Sequence, residues 1–292
     1  MSMILGFKNY LAPAKQLAQH LALPFKLIDV HHFPDGESKV TLPDKLPKQV
    51  IICQSLNQPN EKLIELILVA QTLREQGVKH ITLVAPYLCY MRQDIAFHTG
   101  EAISQKIIGK LLSDYFDAVL TVDTHLHRIK HLSEAIPIAE AFALYATPVM
   151  STFIKQHFDN PVIIGPDEES TQWAEAIAKP HQWQYTIATK QRFGDKDVTV
   201  TLNEINLTNR DVVIVDDIAS TGRTLEQTVK QLLPQKPNSI SVMVTHAFFV
   251  DDAIARLNNL GVNNIWSSDS VLHSTNAFSV IDIFVQQLLI AK

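Results

Sequence analysis

The stretch VVIVDDIASTGRTL, residues 212–225, joins a run of β-branched residues to two adjacent aspartates and a turn rich in hydroxyl groups. Its continuous apolar run predicts a strand that is buried on both faces of a parallel sheet. Ligands of such sheets bind at the carboxyl ends of the strands, where loops and helix N-termini meet. Carboxylates there would accept hydrogen bonds from sugar hydroxyls, and the backbone N–H groups of the turn would bind a phosphate. The stretch therefore predicts a sugar-phosphate site, although a lone Asp or Ser would more simply cap a helix.

Strands and helices alternate on both sides of this stretch. The other strand candidates are rich in Val and Ile, and helical patterns lie between them. They begin at Val50, Ile81, Ala118, Pro161, Tyr185 and Ser239. Buried strands separated by single helices indicate an α/β fold with parallel sheets covered on both faces.

The order of these signals occurs twice along the chain. In each half, an apolar strand is followed by a helix. A second strand then leads into a basic segment, and a third strand ends in aspartate. The basic segments are YMRQD from Tyr90 and TKQR from Thr189, and the aspartate-ended strands are TVDTH and IVDDI. We therefore expect two related domains, each a mainly parallel sheet flanked by helices, at residues 1–148 and 149–275. A C-terminal helix at 276–292 is expected to pack back on the first domain.

The clearest helical pattern is EKLIELILVAQTLREQG, residues 61–77. Pro59 and Asn60 precede the pattern and Gly77 ends it, as is usual at the two ends of a helix. The apolar spacing predicts one buried face that contains Leu63, Ile64, Ile67 and Leu68.

Composition excludes several classes of function. The chain has 292 residues, and its net charge of −5 provides no general attraction to nucleic acid or to an anionic membrane. The N-terminal residues lack the pattern of a signal peptide, and no apolar run reaches the roughly 18 residues of a membrane span. We expect a cytoplasmic protein with no nucleic-acid or membrane partner.

Five segments together resemble one enzyme family. The segments are HFPDGESKV from His32, YMRQDIAFHTGEAIS from Tyr90, VLTVDTHLHRI from Val119, IIGPDEES from Ile163 and the stretch at 212–225. They resemble, in the same order, motifs of the ribose-phosphate pyrophosphokinases, which have the type I phosphoribosyltransferase fold. The short sequences GEAIS, residues 100–104, and STG, residues 220–222, are most similar to the archaeal-type branch of the family.

The resemblance implies a reaction and a division of the site. The reaction is transfer of the diphosphoryl group of ATP to O1 of ribose 5-phosphate, giving 5-phosphoribosyl 1-pyrophosphate and AMP. The first domain would then bind ATP and the second would bind ribose 5-phosphate, with Mg²⁺ as the cofactor. By the same resemblance the ATP-binding residues are Phe33, Asp35, Glu37, Arg92 and Gln93.

The other site residues follow from the same motifs. The catalytic pair is Lys190 and Arg192, and the metal-binding residues are His125 and Asp167. The ribose 5-phosphate residues are Asp216, Asp217, Ser220, Thr221, Gly222, Arg223 and Thr224. In the family, the loop matching Phe33 to Glu37 reaches over from a neighbouring subunit, which implies a homodimer or higher homo-oligomer.

Alternatives remain open at this point. The 212–225 stretch is shared with phosphoribosyltransferases that consume phosphoribosyl pyrophosphate, and a non-catalytic regulatory homologue would keep the same fold. His125, His127 and His131 could instead form a zinc or nickel cluster serving a metal-dependent hydrolase. Ile95, Thr124 and Arg223 depart from the commonest family pattern, and Arg223 adds a cation to the phosphate site only if it points inward.

Overall fold

A computed structural model describes the backbone of residues 2–124, 126, 128–193, 197–202 and 205–290. Side chains are described over the same ranges except 189–193 and 197–202. The chain forms two units, of which the first comprises Met1–Tyr145 with Val280–Lys292 and the second Ala146–Ser279.

The first unit is built around a six-stranded sheet and a separate hairpin. Its strands are β1 (Ser2–Gly6), β2 (Phe25–Leu27), β3 (Asp29–His32), β4 (Ser38–Thr41), β5 (Gln49–Cys53), β6 (His80–Val84), β7 (Ala118–Val122) and β8 (Glu140–Leu144). Its helices before residue 146 are α1 (Leu11–His20), α2 (Pro59–Glu75) and α3 (Ser104–Tyr115). The sheet has the order β2-β1-β5-β6-β7-β8 with parallel neighbours, and β3 and β4 form an antiparallel hairpin.

The second unit is built around a seven-stranded sheet. Its strands are β9 (Val162–Gly165), β10 (Tyr185–Phe193), β11 (Asp197–Leu202), β12 (Asp211–Ala219), β13 (Ser239–Ala247), β14 (Asn264–Ser268) and β15 (Asn276–Phe278). Its helices are α4 (Thr147–His157), α5 (Thr171–Ala178), α6 (Arg223–Leu232) and α7 (Ala253–Asn259). The sheet order is β11-β10-β9-β12-β13-β14-β15, in which β10 and β11 are antiparallel and the other pairs are parallel.

A last helix, α8 (Ile281–Ile290), belongs to the first unit. Its buried residues Ile281 and Phe284 carry apolar surface into that unit, where α8 contacts α1. His20 of α1 lies 2.5 Å from Asp282, measured from Nδ1 to Oδ1. The unit is therefore assembled from two separate parts of the chain.

The fold class predicted from the sequence is confirmed, because each unit holds a mainly parallel sheet flanked by helices. In the second unit the core joins the strands to α6 through Val212, Ile214, Val229 and Leu232. Burying such apolar side chains contributes about 1.5–3 kcal/mol each, so these strands form a rigid support for the loops at their ends.

The predicted buried face of α2 is right for Leu63 but wrong for Ile64 and Leu68. Ile64 and Leu68 are 56% and 38% exposed, and the buried apolar residues are Leu63, Leu66, Val69, Ala70 and Leu73. The same buried face includes the carboxylate of Glu65, only 4% of which is exposed. Apolar residues occupy almost the whole middle of this helix, so their spacing did not identify which side faces the sheet.

Candidate functional site

Three aspartates meet at the carboxyl edge of the second sheet. Asp216 and Asp217 lie in β12, which continues to Ala219 rather than ending at the aspartates as the sequence suggested. Asp167 follows β9, the parallel neighbour of β12. Burial first, and then the charges of Asp217 and Asp167, raise the pKa of Asp216 well above its ordinary value. Such a concentration of negative charge favours a ligand that brings hydroxyl donors or a divalent cation.

Asp167 is oriented by the turn that follows β9. Its Oδ1 accepts a hydrogen bond from the backbone N–H of Ser170 at 3.3 Å, so the residue caps a single 3₁₀ turn, Glu168–Ser170, before α5. Ser170 Oγ in turn donates to the carbonyl of Asp167 at 2.6 Å. Gly165 is needed beside this turn because a Cβ there would lie 2.4 Å from Ser170 Oγ. Capping this turn is compatible with the place of Asp167 beside Asp216.

The turn after β12 leaves its N–H groups available to an anion. The carbonyl of Ser220 accepts from the N–H of Val250 at 3.0 Å, and the carbonyl of Thr221 accepts from Arg256 Nη2 at 2.7 Å. Gly222 is the N-cap of α6 and no side chain caps this end of the helix. The first N–H groups of a helix have no partner within it, and they carry the positive end of its dipole. The turn can therefore hold a phosphate.

Gly222 adopts a backbone conformation that suits glycine. Its φ is +69°, and a Cβ at this position would lie 3.2 Å from the Cβ of Ala253. Ser220 and Thr224 beside it are half-buried, whereas Thr221 and Arg223 are exposed. Arg223 is the first residue of α6, and its side chain is exposed.

Arg256 of α7 supports the turn at Ser220 to Thr224, which we call the phosphate turn. No motif in the sequence indicated this arginine. Besides its bond to Thr221, its Nε donates to Glu226 Oε2 of α6 at 3.0 Å, and the guanidinium also contacts Asp252. One side chain thus connects the turn, α6 and α7. A planar guanidinium with several donors is suited to such a bridge.

In the first unit, the segment from Tyr90 to Asp94 precedes α3. Arg92 is exposed, whereas the amide of Gln93 is engaged: its Oε1 accepts from the N–H of Ser104 at 2.7 Å and its Nε2 donates to the carbonyl of Ile95 at 3.2 Å. Asp94 is buried, and its carboxylate accepts from Arg128 Nη1 at 2.7 Å. Arg128, which is half exposed, thus places a further cation beside this segment, and the sequence analysis assigned no role to it.

The segment Phe33 to Glu37, predicted from the sequence to bind ATP, forms the turn between β3 and β4. The N–H of Phe33 donates to the carbonyl of Glu37 at 2.8 Å, and Gly36 closes the turn with a φ of +94°. Phe33, Asp35 and Glu37 are all exposed, and the ring of Phe33 is 42% accessible. An aromatic ring held out on a short hairpin is available for stacking on a base.

Three of the predicted site residues lie wholly or partly outside the described part of the chain. His125, with its neighbour His127, lies outside the described residues. The backbone of Lys190 and Arg192 lies in β10, paired with Val200 and Val198 of β11, and their side chains are outside the described part. The described geometry therefore concerns the aspartates, the phosphate turn and the residues of the first unit.

Comparison with known proteins decides the family. The ribose-phosphate pyrophosphokinase of Saccharolobus solfataricus is 31% identical over 280 residues, covering 94% of each chain. The chain belongs to the ribose-phosphate pyrophosphokinase family. The enzymes of that name from Sulfurisphaera tokodaii and Pyrococcus abyssi are 28% and 29% identical, each over 275 residues. The prediction of the family from the five motifs is confirmed.

Two parts of the chain also match separate family models. Residues 2–115 match the N-terminal domain of ribose phosphate pyrophosphokinase, and residues 145–258 match the phosphoribosyl transferase domain. Phosphoribosylpyrophosphate synthetase from Mycobacterium smegmatis has the same fold, with a TM-score of 0.87 at 19% identity over 99% of this chain and 98% of that one. No helix within the described residues is long and apolar enough to span a membrane.

Proposed function

We propose that the chain transfers the β,γ-diphosphoryl group of ATP to ribose 5-phosphate. O1 of the sugar would form a bond to the β-phosphorus, the bond from that phosphorus to the α-phosphate oxygen would break, and AMP would leave. The 1-hydroxyl loses its proton in the process. The products are 5-phosphoribosyl 1-pyrophosphate and AMP.

The observation that carries this proposal is the position of the three aspartates beside the phosphate turn. Asp216 and Asp217 lie in the strand that leads directly into Ser220 to Thr224, and α6 begins at Arg223. A ligand that spans both features needs hydroxyl groups at one end and a phosphate at the other. Ribose 5-phosphate meets that requirement, with its hydroxyls toward the carboxylates and its phosphate toward the N–H groups.

Magnesium fits the same group of carboxylates. Burial and then the charges of Asp217 and Asp167 raise the pKa of Asp216, and a hard divalent cation with oxygen ligands would offset both effects. Asp167 is proposed to hold one Mg²⁺ together with the ribose, and His125 is proposed to help hold the Mg²⁺ that is bound to ATP. When bound, Mg²⁺ would neutralise negative charge on the diphosphate.

The remaining residues are assigned to the ATP side and to catalysis. Lys190 and Arg192 would stabilise the charge that develops on the β-phosphate. Arg92 and Gln93 would contact the nucleotide, and for Gln93 this requires sharing an amide that already binds Ser104 and Ile95. Phe33, Asp35 and Glu37 would bind the adenine, presented by a neighbouring subunit of a homo-oligomer.

The deciding experiment measures AMP formation from ATP, Mg²⁺ and ribose 5-phosphate. We expect AMP and phosphoribosyl pyrophosphate in equal amounts. Ribose without a phosphate should be a much poorer acceptor, because it cannot use the turn at 220–224. A rate of AMP formation equal to that of the sugar-free control would contradict the proposal. Nucleotide formation from phosphoribosyl pyrophosphate and a free base would instead indicate a phosphoribosyltransferase.

A further inference from the structure

A histidine and two glutamates converge in the first unit. His32 is the last residue of β3, and Glu61 and Glu65 lie one turn apart on α2. His32 Nδ1 is 3.0 Å from Glu61 Oε1, and His32 Nε2 is 3.8 Å from Glu65 Oε1. Taking one ligand atom from each side chain, the three atoms lie within 4.8 Å of one another. We call these three residues the His32 cluster.

The cluster has a buried carboxylate at its base. The side chain of Glu65 is 5% exposed, and burial raises its pKa, with the charge of Glu61 acting in the same direction. Ser38 Oγ donates to Glu65 at 3.3 Å, but it is a neutral donor. A buried carboxylate is costly unless a positive group lies beside it.

The nearest lysine in the sequence does not supply that positive group by direct contact. Lys62 Nζ donates to the carbonyl of Ser55 at 2.8 Å and to Asn57 Oδ1 at 2.7 Å. Its hydrogen bonds are therefore directed toward the loop after β5. The imidazole of His32 remains the one basic group within ion-pair distance of Glu65 among the described residues.

We propose that the His32 cluster binds a divalent transition-metal ion of the Zn²⁺ class. Imidazole nitrogen and carboxylate oxygen are both zinc ligands, and three protein ligands would leave a fourth position for water, as in catalytic zinc sites. Mg²⁺ prefers oxygen ligands alone, so this site differs in chemistry from the one proposed at Asp167. Two ligands on adjacent turns of α2 are already spaced for one ion, and His32 completes the set.

Such an ion would fix the hairpin to α2. His32 immediately precedes Phe33 and is paired with Ser38 across the hairpin, so the ion would be bound at the base of the proposed adenine loop, residues 33–37. The loop itself is exposed and is closed by few hydrogen bonds. Binding would therefore reduce the freedom of residues 33–37 without contacting the nucleotide. This consequence rests on the proposed function, whereas the metal site does not.

The test is calorimetric titration of the chelator-treated full chain with Zn²⁺, in the presence of saturating Mg²⁺. We expect binding of Zn²⁺ at the cluster, and the absorption bands of a four-coordinate ion when Co²⁺ is used instead. His32→Gln and Glu61→Gln should each weaken this binding by more than about tenfold, which is the loss expected for removing even an outer partner of a metal ligand. Both side chains are at least half exposed, so the fold should tolerate these changes. Affinity should also fall as the pH is lowered, because protons compete for the ligands.

Matched controls come from the same two elements. His31→Gln changes the neighbouring histidine of β3, and Glu75→Gln changes a glutamate at the far end of α2. Both should bind Zn²⁺ as the wild type does. The proposal fails if the wild type binds no Zn²⁺, which would leave the cluster as an ion pair only. It also fails if binding survives in His32→Gln but is lost in His125→Gln. Neither result depends on catalytic activity, so a failure here is distinct from a failure of the proposed reaction.

Discussion

Asp216 shows how a ligand site can conflict with the stability of the empty protein. Its pKa is raised by burial and by the charges of Asp217 and Asp167, so the folded protein binds a proton at this residue more tightly than the unfolded chain does. The folded state therefore loses stability as the pH rises above the ordinary Asp pKa near 3.8. A bound cation or sugar would offset this loss of stability.

Asp216→Asn should consequently raise the melting temperature of the ligand-free protein at neutral pH. The gain should amount to roughly 2–4 °C for each kcal/mol of repulsion removed, and it should vanish as the pH approaches 4. Differential scanning calorimetry at several pH values, without Mg²⁺ or substrates, measures this. The same variant should lose ribose 5-phosphate-dependent AMP formation.

Asp211→Asn is the control on the same strand. Asp211 begins β12, and its Oδ1 accepts hydrogen bonds from Asn238 at 2.7 Å and Ser239 at 2.6 Å. Removing its charge should give no stabilisation. An Asp216→Asn variant that is no more stable than the wild type at neutral pH would show that the charge of Asp216 is already compensated.

Lys190→Ala should separate catalysis from binding. A contact to the β-phosphate that strengthens in the transition state affects kcat more than the affinity for ATP, and its loss should lower kcat by about 10²–10³-fold. Steady-state kinetics and ATP titration of the same preparation measure the two effects. Lys179→Ala, an exposed lysine after α5, is the control and should leave both unchanged. A loss confined to ATP affinity would remove the catalytic role of Lys190.

At the scale of elements, the phosphate turn depends on two supports that lie outside it. Arg256 holds the carbonyl of Thr221, and Ala253 packs where a side chain at position 222 would extend. Both supports come from α7. The geometry of the site is therefore set by a helix that has no recognisable motif of its own.

Gly222→Ala should weaken ribose 5-phosphate binding as well as stability. The positive φ alone makes alanine unfavourable by about 1–2 kcal/mol, and the Cβ would also press on Ala253. Gly261→Ala is the matched control, because Gly261 has a φ of +87° with nothing within 4 Å of the added Cβ. We expect both variants to be destabilised, but only Gly222→Ala to raise the KM for ribose 5-phosphate, with the KM for ATP unchanged. Equal KM values in the two variants would mean that the turn does not hold the phosphate.

The elements differ in how well the sequence predicts them. Central strands such as β12 and β13 are buried on both faces, so their continuous Val and Ile runs identify them. The short edge strands β2 and β15 have no such run and were not predicted. In α2, apolar residues on nearly every side concealed both the true buried face and the burial of Glu65.

The site could be predicted in part for a similar reason. Asp216, Gly222 and their neighbours are contiguous in the sequence, so one motif identifies them. Arg256 and Arg128 act through bonds to residues far away in the sequence, at Thr221 and Asp94, and no local pattern records such contacts.

At the scale of the whole molecule, the proposed origin of the adenine loop can be tested by mixing two inactive variants. Phe33→Ala removes the ring of the loop, and Lys190→Ala removes the catalytic cation. If the loop is supplied by a neighbouring subunit, a mixed dimer contains one site with both residues intact. Co-refolding equal amounts should then restore about a quarter of the wild-type activity, because about half of the dimers are mixed. If each chain supplies its own loop, no mixed site is complete and the activity should stay at the level of the separate variants.

The division of the chain also bears on the order in which the protein folds on a ribosome. All of Ala146–Ser279 is contiguous, whereas the first unit needs α8, which is translated after the second unit. The usual order, in which the N-terminal unit folds first, is then reversed for the final step. Until residues 281–290 leave the exit tunnel, the nascent first unit lacks the helix that contacts α1. The surface of α1 that α8 later contacts is where we expect a chaperone to bind the nascent chain.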